Sequence, residues 1–332
     1  MSNDQLHNTA GANLSVGDVS LSVAGVAAPA LPTSLTLIGS GFGSESALLN
    51  YDTFDYAIAD GVEIPLSDKY AKNGDTSSNP MLFDSANALT GRSGAMTGTN
   101  KCEIFPLGGL SNKSIGKIYA TFWMKNSVRL SDSTVFSVVN RSDKIIRIWD
   151  DLNGLKTRVS WTQMHCTYSD GVGSSAVNNS TKLYIGQIAN QFDRFEVIID
   201  GTSLKLIRNG ISMTDGDINN LFDEDPLDGY FVNRLGYDMS QPENHIKPGQ
   251  SFTTTVAEWY SLGGTARVEL SNTPSWGSSG AFERYLQRHD AWSDGSINIP
   301  NPYYGNLNTS AGSVYAHVVL ENGTVIDLGL VH

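Results

Sequence analysis

Apolar and polar residues alternate along much of this chain with a period of two, the pattern of strands that bury one face. Ser34-Leu-Thr-Leu-Ile38 is the first clear run. Others follow at 117–125, 134–140, 144–149, 157–162, 182–187, 194–199, 203–207 and 254–262, and again at 266–270, 296–299, 313–320 and 325–330. The stretch 282–287 fits a strand or a short helix, and we take it as a strand. Turn residues punctuate the runs. Asp200-Gly201 between two strand patterns predicts a hairpin, and Asn209-Gly210 and Asn322-Gly323 turn the chain again. No window of a dozen residues sustains helical periodicity, and 217–222 makes at most one helical turn. With 332 residues and 33 glycines, the chain is long enough for about two domains of short strands and many turns.

The first strand runs into Gly39-Ser-Gly-Phe-Gly43, which permits positive φ and a tight reversal. A dinucleotide-binding reading of these glycines fails, because no helical pattern follows and no βαβ unit surrounds them. The run SLTLIGSGFGS resembles the opening of the TIG/IPT immunoglobulin-like module, and WSDGSINIPNP at 292–302 resembles the late strand and proline turn of that family. In the middle, RFEVIIDGTSLKLIRNG at 194–210 resembles the late hairpin of concanavalin A-like lectin, glucanase and lyase jelly rolls. The fold class these resemblances imply is all-β, with a large antiparallel jelly-roll sandwich inserted in a small Ig-like (TIG-like) β-sandwich. The expected division is an N-terminal arm over 1–16, an Ig-like domain from 17–46 plus 265–332, and a jelly-roll domain over 47–264. A lone strand at 34–38 is unstable, and unpaired C-terminal strands would leave an open edge. Two consecutive domains, with the first strand in the jelly roll, are the alternative.

Charge narrows the function classes. The net charge is −12, which repels nucleic-acid phosphates and anionic lipid, so we expect neither nucleic-acid binding nor membrane insertion. Two cysteines, Cys102 and Cys166, exclude a disulfide framework and a CxxC metal site, and leave open one bridge or two free thiols. The N-terminus has no basic region ahead of an apolar one, and glycine and prolines interrupt 19–38. The expectation is synthesis in a host cytoplasm without a signal peptide.

Candidate chemistry begins with Gln163 and His165, which a strand through 160–168 would set on one face with Trp161. Jelly-roll alginate lyases carry such a Gln-x-His on the concave sheet beside an Arg and a Tyr. The resemblance would give Arg147, Arg158 and Tyr168 as neighbours and proton transfer α to a uronate as the chemistry. The Arg-rich strand of that family has no counterpart here, nor has its Tyr-Phe-Lys-Ala-Gly segment. Paired carboxylates for glycoside hydrolysis, about 5 to 9 Å apart, are not legible, and neither is a Ser-His-Asp arrangement. Asp215, Asp217 and Asn219 sit at the alternate spacing of a calcium loop. A structural calcium is therefore a candidate, and no other cofactor is expected. Trp149, Trp161, Tyr303 and Tyr304 are candidate ligand-binding aromatics, the two tyrosines in a loop suited to an interface.

Taken together, the modules resemble accessory virion proteins of tailed bacteriophages. By that resemblance the chain is a capsid or tail decoration protein located in the virion. Its partners are the major capsid or tail proteins, it forms a homo-oligomer, and its jelly roll binds a polysaccharide. The alternative is a polysaccharide lyase or glycoside hydrolase with a TIG-like accessory module. The features taken together favour a non-enzyme.

Overall fold

The computed structural model describes residues 14–15, 30–64, 69–73, 81–91, 93–97, 102–106, 117–129, 132–137, 144–150, 158–162, 166–169, 189–200, 203–212, 231–237, 247–277 and 283–332. Among these the structure is all-β, with antiparallel pairing and no helix. The first strands are β1 Leu14–Ser15, β2 Ser34–Ile38, β3 Ala47–Asp52, β4 Tyr70–Asn73, β5 Leu82–Asp84, β6 Ser93–Thr97 and β7 Cys102–Pro106. Next come β8 Lys117–Asn126, β9 Lys144–Asp150, β10 Arg158–Thr162, β11 Cys166–Ser169, β12 Asp193–Asp200, β13 Ser203–Arg208, β14 Ile211–Ser212 and β15 Phe231–Tyr237. The last are β16 Thr253–Gly263, β17 Arg267–Ser271, β18 Arg284–Gln287, β19 Ala291–Trp292, β20 Ser296–Pro300, β21 Tyr315–Val319 and β22 Val325–Leu330. The chain divides into two compact units, Met1–Ala47 with Gly264–His332, and Leu48–Gly263.

The smaller unit holds two four-stranded sheets, ordered β1-β2-β20-β19 and β18-β17-β21-β22. β2 pairs with β20 across most of the chain's length, with Leu35 opposite Ile299 and Leu37 opposite Ile297. All four side chains are buried, as are Val268, Leu270, Tyr285, Ala316 and Val318 of the second sheet. Each fully buried aliphatic side chain contributes about 1.5–3 kcal/mol, so the alternation read in the sequence is also the main source of cohesion. The glycine-rich turn after β2 docks on the β19–β20 turn. Gly39 N donates to Gly295 O at 3.0 Å and Phe42 N to Asp294 O at 3.1 Å, while Gly43 N donates to the Asp294 carboxylate at 3.0 Å. Gly41 and Gly43 have φ of +77° and +65°, which is why glycine stands there.

The larger unit has an eight-stranded sheet, β14-β13-β12-β8-β16-β6-β5 with β3 also on β16, and a six-stranded sheet, β11-β10-β9-β15-β7-β4. β8 and β12 form its centre, with Phe122 and Phe195 opposite each other and stacked at 5.4 Å. The expected hairpin is present, since Asp200 pairs with Ser203. β16 carries a β-bulge between Ala257 and Tyr260, where Glu258 takes φ +52°. The bulge contains Trp259, on which Tyr70 of the six-stranded sheet stacks at 5.8 Å. That contact identifies the face of the six-stranded sheet that lies toward the eight-stranded one.

Several sequence expectations change here. The continuous strand through 160–168 is two strands, because Trp161 of β10 pairs antiparallel with Cys166 of β11. The strand expected over 134–140 is a turn in its described part. The Asp132 carboxylate accepts from Thr134 N at 2.8 Å and from Thr134 Oγ1 at 2.6 Å, and the Asp132 carbonyl accepts from the N–H groups of Val135 and Phe136. This is the local competition with sheet pairing that Asp side chains favour. The runs at 182–187 and 217–222 lie outside the described residues. The cysteine question closes. Cys102 and Cys166 stand on β7 and β11, four steps apart in one sheet. At roughly 4.8 Å per step their backbones are about 19 Å apart, far beyond the ~7 Å limit for a bridge.

Candidate functional site

The six-stranded sheet sorts its positions onto two faces by register. Ile104 is buried and pairs with Leu235, which also pairs with Ile146. Alternation puts Ile148, Val159, Trp161 and Tyr168 on the same face, the face that Tyr70 shares. The opposite face holds one row of positions Thr167, Ser160, Arg147 and Arg234, contiguous across β11, β10, β9 and β15. Trp149 and Arg158 lie on that face one row along, and Glu103, opposite Gly236, lies one row the other way. An aromatic position, hydroxyl positions and guanidinium positions together are the components of a sugar-binding surface.

Two polar clusters of the larger unit are built around buried carboxylates. Asp52 is a hub. Its Oδ1 accepts from Phe54 N at 2.7 Å, and its Oδ2 accepts from Tyr56 OH at 3.0 Å, from Tyr70 OH, and from Lys69 Nζ at 3.0 Å. Burial first, then the Asp52 charge and hydrogen bond, push both phenols far above their usual range, so they serve as donors. On the eight-stranded sheet, Tyr119 OH donates to Glu196 Oε2 at 2.7 Å and accepts from Arg194 Nη2 at 3.0 Å. Tyr119 and Glu196 have no exposed surface, and Arg194 has 1%.

The smaller unit contains a Ser-His-Asp chain that no sequence motif announced. Ser271 Oγ and His317 Nε2 are 2.7 Å apart, and His317 Nδ1 and Asp327 Oδ1 are 2.7 Å apart. β17 and β21 supply the first two residues, two positions off register, and β22 supplies the third, directly opposite His317. The spacing is that of a nucleophilic triad, but the hydroxyl is engaged. Ser271 Oγ donates to Thr273 O at 3.0 Å and accepts from Thr273 N at 3.2 Å, and both Ser271 and His317 are fully buried. Asp327 also accepts from Trp276 N at 3.1 Å. Burial works to raise its carboxyl. The His317 hydrogen bond, the Trp276 N–H, the His317 charge and a Ser275 hydrogen bond outweigh burial and hold the carboxyl below the usual carboxylate range. Beside it, Glu269 accepts from Arg267 Nε at 2.9 Å and Trp276 Nε1 at 2.6 Å and forms an ion pair with Arg284, whose Nε stands 3.0 Å from the carboxylate, while the Arg284 guanidinium lies 4.0 Å from the Trp276 ring. These groups tie the 272–277 loop to the sheet.

The residues singled out in the sequence fall as follows. Gln163 and His165, and the calcium candidates Asp215, Asp217 and Asn219, lie outside the described residues. Arg147 and Trp149 hold positions on one face of the six-stranded sheet, and Trp161 and Tyr168 on the other. Tyr303 and Tyr304 are half-buried. Tyr303 meets Tyr285 edge-on at 5.7 Å, and Tyr304 OH donates to Pro32 O at 3.1 Å, burial pushing its phenol up to about 12. Among the described residues, no group of three or more His, Cys, Asp or Glu is placed to hold a metal ion, and no helix is long and apolar enough to cross a membrane.

Neither a protein-family model nor a curated protein sequence matches the chain. Among solved structures, it is similar to the endo-β-1,4-glucuronan lyase of the fungus Trichoderma reesei, at 12% identity and a TM-score of 0.40 over 59% of this chain and 92% of the lyase. It is similar to domain 4 of AbnA, a GH43 extracellular arabinanase of Geobacillus stearothermophilus, at 14% and 0.37 over 65% and 95%. A pseudo-β-1,3-glucanase of Mycobacterium tuberculosis is similar at 12% and 0.38 over 65% and 98%. At these TM-scores the fold described above rests on its own strand pairing.

Proposed function

We propose that this chain is an accessory structural protein of a tailed-phage particle, and that its larger unit binds glycan without cleaving it. The glycan part is carried by one observation: the register of the six-stranded sheet gathers Trp149 with Ser160, Thr167 and Arg147 on the face opposite buried Ile104. A ring face beside hydrogen-bonding groups is the usual means of holding a sugar. The non-catalytic part is supported by the described ionic clusters, in which Asp52, Glu196, Glu269 and His317 each turn inward on several partners. Buried, multiply bonded networks of this kind fix a single packing. The particle assignment is supported by the sequence resemblance of the two end segments and the middle hairpin to modules of such proteins.

The test has two arms. Full-length protein is applied to a glycan array and, in parallel, incubated with alginate and other uronic polymers while unsaturated product is followed by absorbance. Glycan retention without product is expected. Product formation that His165→Ala abolishes would replace this reading with a lyase. For the particle, full-length protein mixed with phage particles stripped of accessory proteins should co-sediment with them, and failure to co-sediment would remove that assignment.

A further inference from the structure

The Asp52 cluster arranges its hydrogen bonds around one lysine in the way that condensation of an amine with a carboxyl group requires. The Lys69 ammonium has three hydrogens and three acceptors: Asp52 Oδ2 at 3.0 Å, the Tyr56 hydroxyl at 3.0 Å and the Tyr51 carbonyl at 2.9 Å. Tyr56 OH in turn donates to the same Asp52 Oδ2 at 3.0 Å, so the phenol bridges the amine and the carboxyl oxygen. Tyr70 OH donates to that oxygen as well. The other oxygen, Oδ1, accepts from Phe54 N at 2.7 Å. The Asp52 side chain is 1% exposed and that of Lys69 38%, and the Tyr56 and Tyr70 rings each lie 5.7 Å from the lysine nitrogen. Burial strips the carboxylate of the water that keeps a surface ion pair ionised. Fixed placement at about 3 Å is the range of a near-attack geometry.

We propose that Lys69 and Asp52 condense to an intramolecular amide, with Tyr56 relaying a proton between them. One ammonium proton passes directly to Asp52 Oδ2. The Nζ lone pair forms a bond to Cγ, and the charge that develops on Oδ1 meets the Phe54 N–H. Tyr56 hands its phenolic proton to Oδ2 and takes a second proton from Nζ. The Cγ–Oδ2 bond breaks, and Oδ2 leaves as water. Two hydrogens have moved from nitrogen to oxygen and the two charges have cancelled. The hydrogen that stays on the amide nitrogen is the one facing the Tyr51 carbonyl. Burial first, then the Asp52 charge and hydrogen bond, keep the Tyr56 phenol protonated, as a relay requires. Asp52 ends β3, which pairs with β16 of the eight-stranded sheet, and Lys69 directly precedes β4, an edge of the six-stranded sheet. The amide therefore staples the two sheets of the larger unit, and a cross-link of this kind stabilises by constraining the unfolded chain. The bond is independent of any ligand that the unit takes.

The intact mass of the full-length protein, measured under denaturing conditions, tests this. Wild type should be lighter than its sequence by one water, and proteolysis should release a branched peptide joining the segments around residues 52 and 69. Lys69→Arg and Asp52→Ala should each show the full mass of their own sequence. Tyr56→Phe, which removes only the hydroxyl, should accumulate unlinked protein at full mass. Wild type that keeps its full mass after prolonged incubation at neutral pH would overturn the proposal, and this measurement depends on no variant folding. So would a loss of water that persists in Lys69→Arg, or linking as complete in Tyr56→Phe as in wild type.

Discussion

The buried Ser271–His317–Asp327 chain shows how one residue's hydrogen-bond count decides between reaction and structure. A nucleophilic serine must hand its proton to histidine. Here the Ser271 hydroxyl has a competing acceptor in Thr273 O at 3.0 Å beside His317 Nε2 at 2.7 Å, and Nδ1 of the histidine faces the Asp327 carboxylate at 2.7 Å. The groups around this histidine are Asp327 on β22, Glu269 directly opposite on β17, and the guanidinium groups of Arg267 and Arg284 that hold Glu269. Asp327 is the member whose folded-state carboxyl lies below its ordinary value. The sign follows. A depressed carboxyl contributes stability that is present above the unfolded value, near 4, and is lost as pH falls through the lower folded value. Asp327→Asn should therefore destabilise the protein at neutral pH by about 1–2 kcal/mol, the scale of a hydrogen bond to a charged group. The difference from wild type should shrink below about pH 4, where the carboxylate of the unfolded wild type takes up its proton ahead of the folded one. Urea unfolding of both proteins at pH 7 and pH 3 measures it. A constant difference across that range would mean that the Asp327 charge plays no part.

At the scale of elements, glycines distinguish geometric necessity from local tolerance. Gly305 and Gly312 both have positive φ, +54° and +83°. A Cβ at Gly305 would stand 2.1 Å from the buried Tyr285 ring, whereas nothing lies within 4 Å of a Cβ at Gly312. Gly312→Ala should thus cost only the left-handed backbone penalty, about 1–2 kcal/mol. Gly305→Ala must also displace a ring packed against Tyr303 and should cost clearly more, by chemical denaturation of the two variants side by side. Equal losses would mean that the Tyr285 ring gives way freely. Legibility in the sequence divides along the same line. Strands bounded by their own turn residues, such as Ser34–Ile38 and the Asp193–Arg208 hairpin, could be read because pattern and punctuation are local. The break between β10 and β11 could not, because Ser160 to Tyr168 contains no Gly, Pro, Asn or Asp to mark a turn, and only pairing of Trp161 with Cys166 shows the reversal. Strands β3 to β7 carry no such local signal, being short and edged by mixed residues. For the sites the limit is separation. Arg147 meets Arg234, and Ser271 meets His317, only through sheet register, which a period-two pattern leaves free until the strands have chosen partners.

For the whole molecule, the smaller unit is formed by the two ends of the chain, and its own contacts say how it could be isolated. Ser46 and Ala266 stand at the two crossings into the larger unit, and the Ser46 hydroxyl accepts from Ala266 N at 2.7 Å. Ser46 Oγ donates to Glu321 Oε2 at 2.8 Å, and the same carboxylate accepts from Thr265 N at 2.9 Å. Gly264, at φ +143°, leaves no room for a Cβ, which would fall 2.4 Å from Ser46 Oγ and 2.5 Å from Glu321 Oε2. The two crossings are therefore held within hydrogen-bonding distance by residues of the smaller unit alone. A few flexible residues span that gap, and the entropy of closing so short a loop is small. Replacing 48–263 by a short Gly-Ser linker should leave a protein that folds cooperatively, with strand-type circular dichroism and dispersed amide resonances. Glu321→Ala in that shortened chain should lower its melting temperature markedly, because Thr265 N, Ala266 N and Ser46 Oγ lose a common acceptor. Aggregation or a molten shortened chain would show that the smaller sandwich depends on residues 48–263 for more than continuity. The edge of β2 and the Ser46–Glu321 junction would then be the places to look for that dependence.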